Sequence, residues 1–276
     1  MGTSGSYSGS GGGDWAELRQ DLADWLDTLP GGPDETGDGA PDETGDGRPD
    51  DENPPEDPPR ELRDPAPEVL RVLRPLRRAM LAGSGSSGGL GGGGRGGGRS
   101  PSGTGRSSAR VGRVGGRLVA GVTGIRSGDA PGLVAIGLNL AELEVLDPYR
   151  QAQRLLEAAT EQGSARTLEE EELHAAASRT AIWALTEPQA PDVDEVIRRF
   201  VVEYVYEVFL TEGGAVLRGG DRDGVAASAA EDRVRDTIVA LVRGIQIDGD
   251  KLDATDLANA TERVLNDTLQ IHGTEM

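Results

Sequence analysis

One stretch limits the possible folds of this chain more than any other. In DVDEVIRRFVVEYVYEVFLTEGG, residues Val193, Val196, Ile197, Phe200, Val201, Tyr204, Val205, Val208 and Phe209 recur at three- and four-residue steps. They form an apolar stripe too wide for a surface helix, so this helix belongs at the centre of a core. Asp192 with Glu195 has the spacing of a capping box, in which cap and third residue satisfy each other's backbone donors. Gly213-Gly214 is the expected stop. Thr167 with Glu170 and Ser228 with Glu231 repeat the starting signal, which predicts further helices over 168–186 and 228–247. Another is expected over 254–271, closing at His272-Gly273.

Upstream, Val111, Val114, Leu118, Val122 and Ile125 mark a glycine-rich helix with one apolar stripe, a basic opposite face and small residues that let another helix come close. The segment after it, AELEVLDPYRQAQRLLEAATEQ, reads as a helix restarted near Asp147-Pro148, because proline is tolerated in a first turn. No segment joins strand alternation to turn chemistry. The fold class is therefore all-α, a helical bundle over 106–276 that is expected to resist proteolysis from about residue 105 on.

The first half has a different composition. Most of the chain's 42 glycines and 16 prolines lie before residue 132, where apolar residues come in short islands that bury too little surface to offset the entropy of ordering. Residues 1–13 form a Gly/Ser tail. In 14–30, Trp15, Leu18, Leu22, Trp25, Leu26 and Leu29 fall at helical spacing behind Asp14 as cap. This short amphipathic helix either docks on a partner through Trp15, Leu18, Leu22 and Trp25 or packs on the bundle. Residues 31–66 carry the repeat GPDETGDG, APDETGDG and run on as an acidic, proline-rich spacer expected to be disordered. The repeat lacks the D-x-[DN]-x-[DN]-G calcium loop with its closing Glu. Residues 67–82 form a small basic helix with Leu70, Leu73, Leu76 and Leu81 roughly on one side, which Pro75 should kink or split. Residues 83–105 are a glycine-dense linker.

Net charge is −20, divided as −14 over 1–66, +10 over 67–127 and −16 over 128–276. A basic tract between acidic ones favours either intramolecular attraction or a polyanionic partner. Weak nucleic-acid contact through the arginines of 67–127 is one such reading, although the tract has no aromatic residue for base stacking. Absent cysteines exclude disulfides and thiolate chemistry and suit a cytoplasmic setting. The start has no secretory h-region, and the longest apolar stretch is interrupted by Arg126, Asp129 and Pro131, so no membrane association is expected.

Catalytic constellations are not evident. His174 lies in an acidic helix without a second converging ligand, and His272 in a final helical turn, where capping accounts for it. There is no HExxH, GxSxG or phosphate-cradling GxxxxGK[ST], so no metal or cofactor is expected and the chain reads as a non-enzyme. What remains is MGTSGS. Loss of Met1 before a residue as small as Gly2 would free an unhindered α-amine, whose ordinary pKa of about 7.7–8.0 leaves a reactive neutral fraction. Ser6 also completes a loose M-G-x-x-x-[ST] myristoylation pattern, the basis for an alternative as an acylated interaction protein.

Gly2-Thr3-Ser4, the Ser/Gly run to Trp15, the Gly/Arg-rich middle, and ALTEP with DVDEVIRRFVVEYVYEVFLTEGGAVL together resemble the B component of Qat-type, QueC-associated anti-phage defence systems. The resemblance implies a non-catalytic acceptor and scaffold. Its Gly2 would be conjugated to a deazaguanine-type base by a QueC-like enzyme, with Thr3 and Ser4 as recognition residues. An ATPase and a TatD-type nuclease would be the other partners.

Overall fold

The computed structural model describes residues 13–29, 65–82, 107–160, 167–219, 224–247 and 254–270. Residues 31–64 of the expected 31–66 spacer, with its acidic repeat, the glycine-dense linker over 83–105 and His272 lie outside them, whereas Ala66, at the spacer's end, packs against the core. Every regular element among the described residues is a helix. In chain order these are α1 (Gly13–Asp27), α2 (Pro67–Ala82), α3 (Ser108–Ser127), α4 (Ala130–Ala135), α5 (Leu140–Leu143), α6 (Pro148–Ala159), α7 (Leu168–Thr186), α8 (Val193–Leu217), α9 (Gly224–Arg243) and α10 (Ala254–Gln270).

Helix α8 is central, as its stripe requires: α1, α3, α7, α9 and α10 all pack on it. From Val196 to Phe209 every stripe residue is buried, and only Val193, in the first turn, is half-exposed. Its start is set by the anticipated box. The Glu195 amide donates to Asp192 Oδ1 at 2.7 Å and the Asp192 amide to Glu195 Oε2 at 3.0 Å. The same reciprocal pair fixes α7, with 2.7 Å from the Thr167 amide to Glu170 Oε2 and 3.3 Å back. Asp147 caps α6 by accepting from the Tyr149 and Arg150 amides, with Pro148 in the first turn.

Three local expectations fail for reasons of packing. Gly213-Gly214 does not stop α8, which continues to Leu217. Gly213 is a contact seat, since a Cβ there would lie 2.9 Å from Leu22 Cδ2 of α1. Ser228 is not a cap: α9 begins four residues earlier, and the alanine-rich turn Ala226–Ala230 carries the helix through it. Pro75 does not split α2. Val72, Leu73 and Leu76 on either side of it are buried, and apolar burial at about 1.5–3 kcal/mol per side chain offsets the one lost hydrogen bond.

The glycines of α3 do what small residues on a helix face allow. α10 lies directly on them: a Cβ on Gly112 would sit 2.7 Å from the Ala258 carbonyl oxygen, and one on Gly116 would sit 2.5 Å from the Ala258 amide nitrogen. The Ser108 hydroxyl donates to Glu262 Oε1 at 2.8 Å across the same seam. α3 ends at Gly128, whose positive φ of 73° supplies the left-handed cap.

The two upstream helices are part of this core. Trp15, Leu18, Leu22, Trp25 and Leu26 of α1, with Val69, Val72, Leu73, Leu76 and Met80 of α2, join one continuous apolar cluster with α3, α8, α9 and α10. The folded unit therefore includes α1 and α2 and does not begin near residue 105. If a specific protease site is inserted between residues 83 and 105 and cut, the α1–α2 fragment should stay bound to the remainder through gel filtration. Its release under native conditions would show that those ten side chains contribute little to the fold.

Candidate functional site

The four residues read as a docking face are all internal. Trp15 is 5% exposed, Leu18 and Leu22 fully buried and Trp25 1% exposed, against α8 and α2 of the same chain. The alternative, packing on the bundle, is the arrangement found. An amphipathic stripe reports that a helix needs a partner surface, and here α8 supplies one. Arg19 reinforces the seat by approaching Glu212 Oε2 of α8 at 3.6 Å, with the Glu212 side chain wholly buried. Asp14, expected as a cap, lies within the first turn of α1, where a carboxylate opposes the positive end of the helix dipole and pairs with Arg78. Gly2, Thr3 and Ser4 lie outside the described residues.

The basic tract is partly consumed by internal acids. Arg78 of α2 pairs with Glu17 and, at 3.6 Å, with Asp14. Arg110 of α3 pairs with Glu170 and lies 3.9 Å from Glu169, both at the start of α7. The Thr167 backbone amide and then Arg110 hold the Glu170 carboxyl below its ordinary pKa. Arg126 donates to the Glu187 carbonyl at 2.8 Å, just past the end of α7. Arg71 and Arg74 remain exposed.

His174 lies in a cleft of about 480 Å³ between α6 and α7, together with Tyr149, Gln153, Glu157, Thr160 and Ser178 over a floor of Ala152, Leu156 and Ile182. Glu157 is engaged along its own helix by Arg154 at 3.0 Å. Among the described residues no group of three or more His, Asp or Glu is placed to hold a metal ion.

The most elaborate polar arrangement escaped the sequence reading. Glu203, in the middle of α8 and completely buried, lies among three guanidinium groups from three helices: Arg199 Nε at 3.0 Å, Arg179 Nη1 of α7 at 3.5 Å, and Arg235 of α9. Arg199 stacks over Trp183 and Arg235 over Tyr206, each guanidinium carbon 5.4 Å from the ring centroid. Arg179 also pairs with Glu207, one turn along. Burial first, then the Glu231 carboxylate, pushes the Tyr206 phenol up from its usual pKa. The cluster ties α7, α8 and α9 to one another through a single buried carboxylate. Glu203 and Glu207, four residues apart inside an apolar stripe, were the available signal. Arg199, one turn before Glu203 on α8, was equally visible, whereas Arg179 and Arg235 come from other helices and carry no local signal.

No helix of the described residues is long and apolar enough to cross a membrane. Compared with protein-family models, with curated proteins and with solved structures, the chain matches none.

Proposed function

We propose that this chain is a non-catalytic acceptor and scaffold of a QueC-associated anti-phage defence system, acting in the cytoplasm, with the Gly2 amine as the acceptor. The observation that supports this reading best is the seating of α1. Trp15 and Leu18 lock the helix that follows MGTSGS into the core, so the segment carrying Gly2 joins a rigid body at a fixed point. The eleven residues 2–12 reach at most about 40 Å, which confines a conjugated group to the neighbourhood of the bundle while letting it enter a partner's active site.

The chemistry asked of the chain is nucleophilic. A QueC-like enzyme activates a carboxy-deazaguanine with ATP as an acyl adenylate. The neutral Gly2 amine attacks its carbonyl carbon, a C–N bond forms, the C–O bond to AMP breaks, and the surplus ammonium proton passes to solvent. Thr3 and Ser4 serve recognition by the enzyme. Because Trp15, Leu18, Leu22 and Trp25 are enclosed, the QueC-like enzyme, the ATPase and the TatD-type nuclease meet other surfaces of the bundle.

Co-expression with a QueC-like partner followed by intact-mass analysis tests the proposal. The chain should lose Met1 and gain one base-sized adduct on Gly2. Gly2→Leu should retain Met1 and abolish both adduct and phage protection, with no change in thermal stability. Normal protection by Gly2→Leu, or an unmodified mass beside an active partner, would refute it; a mass increase matching myristate would favour the acylated alternative.

A further inference from the structure

Arg71, Arg74 and Arg77 lie within two turns of α2, and no carboxylate among the described residues pairs with them. Arg71 and Arg74 are exposed on adjacent turns, and Arg77 is half-buried with its Nε lacking an acceptor. Arg78, on the same helix, has two acids from α1, Asp14 and Glu17.

Those two acids also give the direction of packing. Arg78 is near the end of α2 and its partners are in the first turns of α1, so the helices run antiparallel and the end of α1 lies beside the start of α2. The segment 30–64 is joined to both at that place. It contains 13 acidic and 3 basic residues. At about 1.5 Å per residue, Arg71 and Arg74 are roughly 9 and 14 Å along the helix from Pro65, where the segment ends.

We propose that the arginine ridge of α2 is a carboxylate-binding surface whose occupant is the acidic segment 30–64 of the same chain. Single exposed ion pairs contribute at most about 1 kcal/mol. Attachment at both ends raises the local concentration of carboxylates to the millimolar range, so several weak pairs suffice. A nucleic acid seeking the same arginines has to displace a polyanion that cannot diffuse away.

Lys251 is the only lysine of the chain, which makes carbodiimide coupling a selective probe. In the full-length protein, Arg71→Lys and Arg74→Lys keep the charge and supply an amine that couples to Asp or Glu within 34–57. Peptide mass spectrometry should find these cross-links at low salt and lose them near 1 M, where the screening length is about 3 Å. Arg150→Lys on α6, a helix that packs on α3 and α7, should give several-fold less coupling to the same segment. Equal coupling from position 150 would overturn the proposal, as would cross-links joining isotopically labelled to unlabelled copies. A single-stranded oligonucleotide that binds through Arg71 and Arg74 equally well before and after the 34–57 acids are changed to Asn and Gln would also overturn it. In that case the ridge is a nucleic-acid surface.

Discussion

Phe200→Ala should cost about 3–5 kcal/mol in equilibrium urea unfolding, enough to remove a large part of the stability of a domain this size. Phe200 has no exposed surface, and its ring fills the junction where α8 meets α3 and α10. The fit is so close that a Cβ on Gly115 would stand 2.6 Å from the ring's Cε1 and 2.5 Å from Thr261 Cγ2. Shortening the side chain leaves a void that the neighbours cannot close. Their backbones are held apart by contacts at Gly112 and Gly116 on the other side of the seam, so the cavity cost adds to the lost transfer energy. A change within about 0.5 kcal/mol, the usual range for surface positions, would place Phe200 at the surface and remove α8 from the centre of the fold.

Gly116→Leu should exceed the usual overpacking cost of about 1–3 kcal/mol. The first added carbon would meet backbone: 2.5 Å to the Ala258 nitrogen and 2.7 Å to its Cα. A flexible neighbour can swing aside, but a helix backbone cannot without moving the whole of α10. Hydrogen exchange should therefore rise over 254–270 before it rises in α7 or α8. Gly224→Ala is the matched control, because nothing lies within 4 Å of a Cβ at that position and the helix gains a better former. Similar losses from both substitutions would mean that the α3–α10 seam tolerates separation.

Among the polar groups, Glu203 carries the largest liability. Its three arginine neighbours are each only partly exposed, and removing one member of a buried pair leaves the rest uncompensated. Replacing the whole set with apolar residues is a different experiment, since buried ion clusters often give way to packed side chains at little cost.

The sequence by itself determined the all-α class, the central place of α8, the starts of α6, α7 and α8, and the glycine face of α3. Each rests on local physics: a 3.6-residue apolar period, a cap three residues from its glutamate, or a proline in a first turn. Such signals are complete within one or two helical turns. Tertiary structure decided everything that depends on what lies across from a face. The stripe of Trp15, Leu18, Leu22 and Trp25 states a need for cover, and only the fold shows that α8 and α2 meet it. Gly213 and Gly214 have the form of a stop, yet Leu22 packs over the first of them and the helix runs on, because the helix interior tolerates glycine at about 1 kcal/mol where packing supports it. The Glu203 cluster gathers Arg179, Arg199 and Arg235 from three helices. Its members are up to 56 positions apart in the chain. Burial and long-range charge pairing are properties of proximity in space, and a one-dimensional pattern records a face without recording its neighbour.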